Sequence, residues 1–218
     1  SRPALVILEN THVRSGGRVV TVESMQEASA LARGRGIAVH LDGARIFNAA
    51  TALGCAASDL AAQADTVSFN LNKGLGAPLG AILAGSRDAI AEAVRIRQLF
   101  GGGWRPAGIP AAAGIVALET MVERLGDDHR AAKQLATGLS AMDGVIADPA
   151  ATETNIVLVR APSIPPDMLV SGLAARGVLA LPFGTGIRLV THHEITRDAV
   201  ETTLTAFHTV LEDVNRDL

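Results

Sequence analysis

The chain has 218 residues and a formal net charge of -3, with 19 basic and 22 acidic side chains scattered along it. That spread excludes the concentrated basic face expected of a nucleic-acid or anionic-membrane surface, and five phenylalanines, one tryptophan and no tyrosine leave little material for stacking on single-stranded nucleic acid. A single cysteine, Cys55, rules out a disulfide framework within the chain.

No apolar run reaches the length of a membrane span, and the first residues lack the basic-then-apolar order of a signal peptide, so a soluble, cytoplasmic protein is expected. Length alone allows one large domain or two small ones.

Ala4-Leu5-Val6-Ile7-Leu8 reads as a buried strand, followed by a polar, glycine-containing loop from Glu9 to Arg18. A helix is predicted from Thr21 to Arg33, with Val22, Met25 and Leu31 on its packed side and Gly34 and Gly36 closing it. The run Ile37 to Leu41 predicts a strand ending at Asp42-Gly43. Short helices over Ile46 to Leu53 and Ala56 to Ala64 come next, then strands over Thr66 to Leu71 and Gly80 to Ala84. Ser86 reads as the N-cap of a helix running to Phe100. Gly101-Gly102-Gly103-Trp104-Arg105-Pro106 interrupts it, and Ile109 to Leu125 is helical in composition. This alternation predicts an α/β sandwich with a largely parallel sheet, whose ligand site lies beyond the carboxyl ends of the strands.

A second rhythm follows, of helices over Asp128 to Met142, Pro166 to Arg176 and Arg197 to Leu211, with strands at Asn155 to Val159, Val178 to Ala180 and Ile187 to Val190. It predicts a small α/β domain over residues 119–218, after a larger one over 1–118. Pro149, Pro162, Pro165 and Pro166 suit connections between these elements.

Two segments carry candidate chemistry. In His40-Leu41-Asp42-Gly43-Ala44-Arg45 the strand period puts His40 and Asp42 on one face, and Gly43 permits a tight exit that lets Arg45 turn back over the strand end. In Ser68-Phe69-Asn70-Leu71-Asn72-Lys73-Gly74-Leu75-Gly76-Ala77-Pro78-Leu79-Gly80 a lysine follows an apolar strand and enters a glycine-rich loop. A lysine there that is partly desolvated or lies near other positive charge can be a free, nucleophilic amine, which suits Schiff-base chemistry. The order of a Walker loop is absent. Taken singly, Asp42 is equally a turn or helix cap and Lys73 a solvated loop charge.

The segments from His40 to Asn48 and from Lys73 to Gly80 resemble the signatures of low-specificity threonine aldolases, within the aspartate-aminotransferase-like fold type I class of pyridoxal-phosphate enzymes. The resemblance extends, in order, to Glu9-Asn10-Thr11-His12, Gly101-Gly102-Gly103-Trp104-Arg105 and Arg188-Leu189-Val190-Thr191-His192. It implies covalent attachment of pyridoxal 5'-phosphate at Lys73 and a bond from Asp42 to the pyridine nitrogen. It further implies that Arg45 and Arg188 hold the substrate α-carboxylate, that Arg45 and Arg105 belong to the cofactor site with Arg105 near the phosphate, and that His12 acts as base at the β-hydroxyl. Asn70 and Asn72 depart from the smaller residues expected beside the lysine. The implied reaction cleaves threonine, allo-threonine or a related β-hydroxy-α-amino acid to glycine and an aldehyde.

The same lysine and aspartate also serve β-elimination, racemisation or transamination, and a catalytically silent subunit of this fold is a further alternative. The resemblance implies a homo-oligomer, dimer or tetramer, and a preceding part of the large domain supplied by a separate or missing segment. His192 and His193, adjacent in an expected strand, face opposite sides and complete no zinc set, so no metal is expected. Trp104 reads as packing or interface, and Glu9 as a loop organiser.

Overall fold

The computed structural model describes residues 2–216, which divide into two compact units. The first comprises the chain up to Thr11 together with Val19–Leu125, and the second comprises His12–Arg18 together with the chain from Gly126 onward.

In the first unit, strands β1 (Leu5–Glu9), β2 (Ala38–Asp42) and β3 (Thr66–Asn70) run parallel, and β4 (Ala81–Gly85) closes the order β1-β2-β3-β4 antiparallel to β3. Helices α1 (Val22–Arg33), α2 (Ile46–Leu53), α3 (Ala57–Ala61), α4 (Arg87–Leu99) and α5 (Gly108–Thr120) fill the connections. The boundaries have local causes. The Thr21 hydroxyl accepts the Ser24 N–H at 3.2 Å to start α1, and Ser86 does the same for Ala89 at the start of α4. Gly54, at φ 66, ends α2 in the left-handed conformation.

Strand alternation sorts this sheet into two unlike faces. Leu8, Leu41, Val67 and Phe69 pack with Met25 of α1, Ile46 and Ala49 of α2 and Leu60 of α3, and Phe47 meets Phe69 edge to face at 5.6 Å. Each of the larger buried side chains among them, Met25, Leu41, Ile46 and Leu60, contributes roughly 1.5–3 kcal/mol. On the other face stand Leu5 and Ile7 of β1, His40 and Asp42 of β2, Thr66, Ser68 and Asn70 of β3, and Leu83 of β4. Within this chain β1 stands at the end of the strand order, and Leu5 and Ile7 are 50% and 62% exposed. Helix α5 stops at Thr120 rather than Leu125, and residues 121–124 turn so that Leu125 drops into a cluster with Leu71, Leu75, Ala77 and Ala117.

The second unit is built on an antiparallel sheet in the order β5-β6-β8-β7, from β5 (Ile146–Ala147), β6 (Ile156–Arg160), β7 (Leu181–Phe183) and β8 (Gly186–Val190). Its core joins Val157, Val159, Ile187 and Leu189 to α6 (Leu125–Ser140), α7 (Pro166–Ala174) and α8 (Arg197–Arg216), with Phe207 fully buried. Three sequence expectations shift. Val178 to Ala180 is not a strand; the strand is Leu181–Phe183, an edge position that tolerates Pro182. Helix α6 begins at Leu125 rather than Asp128, and α8 continues past Leu211 to Arg216.

The segment His12–Arg18, with a 3-10 turn over Val13–Ser15, packs on β6 although more than 130 residues separate them. His12 and Arg18 pair through an antiparallel bridge, the Thr154 hydroxyl donates to the Gly17 carbonyl at 2.7 Å, and Arg18 pairs with Glu153 at 3.0 Å. Gly17, at φ 77, sits so close to β6 that a Cβ there would lie 2.6 Å from the Thr154 hydroxyl and 3.2 Å from Ile156. Among the described residues no helix is long and apolar enough to cross a membrane.

Candidate active site

Apart from Arg105, the site residues named from sequence fall into two groups, one in each unit. In the first, parallel pairing brings the carboxyl ends of β1, β2 and β3 to one edge, with Glu9 opposite Asp42 and Asp42 opposite Ser68. Asp42 is half-buried, and its carboxylate accepts the Ala44 N–H at 3.1 Å. Backbone bonds pin its surroundings, from Asn10 N–H to the Asp42 carbonyl at 3.0 Å and from Gly43 N–H to the Ser68 carbonyl at 2.8 Å. A Cβ on Gly43 would stand 3.0 Å from that carbonyl, so the tight exit expected from sequence requires glycine. Arg45 follows as the residue capping the start of α2 and is half-buried.

Lys73 enters the same edge from β3. Its loop is closed by Leu71 N–H to the Gly80 carbonyl at 2.9 Å and crossed by Ala77 N–H to Leu71 and Gly76 N–H to Lys73. Buried Gly74 leans on Asn48 of α2, where a Cβ would lie 3.2 Å from the Asn48 side-chain oxygen. The helix led by Arg45 thereby packs against the lysine loop, while the Lys73 side chain is exposed. Asn70 donates to Asn72 at 3.1 Å, which ties together the two residues that depart from the expected pattern.

His40, on the same face as Asp42, lies between two hydroxyls of the neighbouring strand, with Nδ1 2.8 Å from Thr66 Oγ1 and Nε2 3.3 Å from Ser68 Oγ. The alternation Thr66, Ser68, Asn70 on one strand face was the available signal for this pairing. Just beyond β1, the buried Thr11 hydroxyl has no hydrogen-bond partner among the described residues.

In the second unit, His12 is half-buried with Nδ1 2.8 Å from Ser15 Oγ. Its segment covers Leu158, which would lie 3.3 Å from a Cβ on Gly16, and Leu158 is the register partner of Arg188 on β8. His12 and Arg188 thus belong to one side of one sheet. Arg188 is half-buried, its Nε is buried with no hydrogen-bond partner among the described residues, and its guanidinium carbon stands 5.6 Å over the Phe183 ring. Phe183 was not singled out from sequence. The Gly184-Thr185-Gly186 turn beside it was the legible hint.

Among the described residues no hydrogen bond or ion pair brings Arg105 to either group, and it stands exposed between α4 and α5. Trp104 is 52% exposed, so it does not fill a core. His192 and His193 lie beyond β8 rather than in a strand, their rings 5.9 Å apart, and His192 pairs with Glu194 at 3.7 Å. Among the described residues no group of three or more histidine, cysteine or acidic side chains is arranged to hold a metal.

A carboxylate and a lysine delivered to one edge by neighbouring parallel strands fit a cofactor that needs an amine for attachment and an anion opposite a ring nitrogen. The architecture is that of the aspartate-aminotransferase-like fold type I class. It matches the crystal structure of a putative L-allo-threonine aldolase from Listeria monocytogenes EGD-E with a TM-score of 0.79 at 22% identity, over 94% of this chain and 60% of that one. The profile of the β-eliminating lyases matches residues 1–162, and the chain belongs to that family. Within curated proteins it is 40% identical over 207 residues to low-specificity L-threonine aldolase 1 of Arabidopsis thaliana, covering 93% of this chain and 58% of that relative. It is 42% identical over 200 residues to the low specificity L-threonine aldolase of Escherichia coli K12, covering 91% and 57%. The chain therefore spans less than two thirds of the length of the relatives it matches.

Proposed function

We propose that this chain carries the lysine and aspartate of a pyridoxal-phosphate-dependent aldolase that cleaves threonine, allo-threonine or a related β-hydroxy-α-amino acid to glycine and an aldehyde. The observation that carries the reading is the delivery of Asp42 and the Lys73 loop to the same edge of one sheet by adjacent parallel strands. The likeness to named threonine aldolases supports it.

Each residue has a part that its chemistry suits. The Lys73 amine would hold the cofactor covalently, as the nucleophile that such attachment needs. Asp42 would hold the pyridine nitrogen of the cofactor, where a carboxylate favours the protonated form. Pyridoxal phosphate, when bound, supplies an electron-withdrawing ring that accepts the electron pair released at the substrate α carbon. Arg188 and Arg45 would take the α-carboxylate through planar donor forks, and Arg45 and Arg105 would help hold the cofactor, Arg105 at its phosphate. His12 removes the proton from the β-hydroxyl, directly or through water, and so starts cleavage of the Cα–Cβ bond. The protein acts as a cytoplasmic homo-oligomer in this reading.

Replacing Lys73 with alanine tests the assignment. Glycine formation should fall by on the order of 10³-fold or more, and the borohydride-reducible lysine adduct should vanish. Unchanged turnover would remove Lys73 from the mechanism. The family to which the chain belongs favours β-elimination as a second reading. Product analysis separates the two, because an aldehyde with glycine marks the aldolase, whereas ammonia with an oxo acid marks elimination.

A further inference from the structure

The face of the second sheet that presents Arg188 also presents Phe183. Leu181 pairs with Arg188 across the β7–β8 hairpin and Phe183 pairs with Gly186, so Phe183 is the diagonal neighbour of Arg188 on the same side. The hairpin turns through Gly184, at φ 58, and Thr185, a two-residue connection that needs glycine at its first position. Directly opposite Phe183, Gly186 has no room for a side chain, because a Cβ there would stand 2.2 Å from the Val159 carbonyl and 2.6 Å from Arg160 Cγ. With that position empty, the ring is free to lean toward Arg188, where it lies 5.6 Å from the guanidinium carbon.

Arg188 has no ion-pair partner among the described residues, and its Nε is buried without a hydrogen bond. The guanidinium instead lies over an aromatic face. An aromatic ring attracts a guanidinium through its quadrupole and leaves the in-plane N–H donors uncommitted. A carboxylate is gripped best by two parallel in-plane donors, so fixing the plane in advance removes an ordering cost otherwise met on binding.

We propose that Phe183 is a positioning residue, whose ring sets the plane of the Arg188 guanidinium so that its free donors meet the α-carboxylate of an amino-acid substrate. This rests on the reading of Arg188 as a carboxylate binder given above. Leucine at 183 keeps an apolar side chain but has no quadrupole, whereas tyrosine keeps the ring.

The test compares wild type with F183L, F183Y and R188A in steady-state cleavage of L-threonine and L-allo-threonine. It also follows the Arg188 Nε–Hε resonance by ¹⁵N NMR. F183L should raise KM about five- to tenfold with kcat within about twofold, and F183Y should restore both. The Nε–Hε resonance should carry a ring-current displacement that F183L loses and F183Y keeps. If R188A raises KM and F183L does not, the role of Phe183 is refuted while the carboxylate reading of Arg188 survives. An unchanged KM in R188A overturns both. If neither substrate is turned over, titration with glycine reads the same grip, and F183L binding glycine as tightly as wild type sinks the proposal. Should F183L fail to fold, a wild-type resonance lacking the ring-current displacement is the overturning result.

Discussion

The two sheets of this chain solve the problem of presenting functional side chains in different ways. In the first unit the strands β1 to β3 are parallel, so their carboxyl ends coincide, and successive strands deliver Glu9, Asp42 and the Lys73 loop to one edge. In the second unit neighbouring strands run in opposite directions, so no edge collects their ends. There Arg188 and Phe183 project from a sheet face instead, and His12 reaches that face through an inserted segment rather than through a strand. Parallel sheets gather chemistry at an edge, while antiparallel ones must use a face or borrow a loop.

That contrast can be tested through the parts that hold each arrangement. The largest effect is expected from Phe207→Ala, which empties the centre of the core beneath the second sheet. It should cost about 3–5 kcal/mol by denaturant titration. A loss below 1 kcal/mol would mean that this sheet face does not depend on its helical backing. Gly17→Ala comes next, because it forces a left-handed residue and pushes a Cβ to 2.6 Å from the Thr154 hydroxyl. It should cost about 1–3 kcal/mol and raise amide exchange over His12–Arg18. Unaltered exchange would show that the borrowed loop is not seated on β6.

The smallest expected effect is a pH dependence. Burial pushes His129, just past the first turn of α6, below the ordinary histidine value, against a weaker opposing pull from the Asp128 carboxylate. As pH falls below about 6.5 the unfolded chain takes up the proton before the folded one does, so the second unit loses stability there and keeps it above. His129→Gln should flatten the decline between about pH 7 and pH 5. An equally steep decline in the variant would assign it to other groups.

Much of the first unit could be read from punctuation. Thr21 and Ser86 announced helix starts, and the Asp42-Gly43 and Lys73-Gly74 pairs marked the strand exits that carry the candidate site. Less of the second unit was legible, because its elements are defined by partners distant in sequence. Two-residue β5 exists only through pairing with β6, and Pro182 argued locally against the strand that pairing with β8 makes of Leu181–Phe183. His12 could be singled out as a residue, but its place in the second unit depends on contacts between Gly17 and Thr154, which no local pattern encodes. The hydroxyl pair flanking His40 likewise needed the β2–β3 register, which is fixed in three dimensions.

The passage of His12–Arg18 into the second unit means that the chain changes unit three times, after Thr11, after Arg18 and after Leu125. No single proteolytic nick can therefore release both halves intact. Scission at Leu125 strips the carboxyl-terminal piece of seven residues that shield Ile156 and Leu158 and leaves that strand bare. Dissection of this molecule into autonomous pieces would have to graft the loop back by a linker, and its topology favours inheritance of both units together.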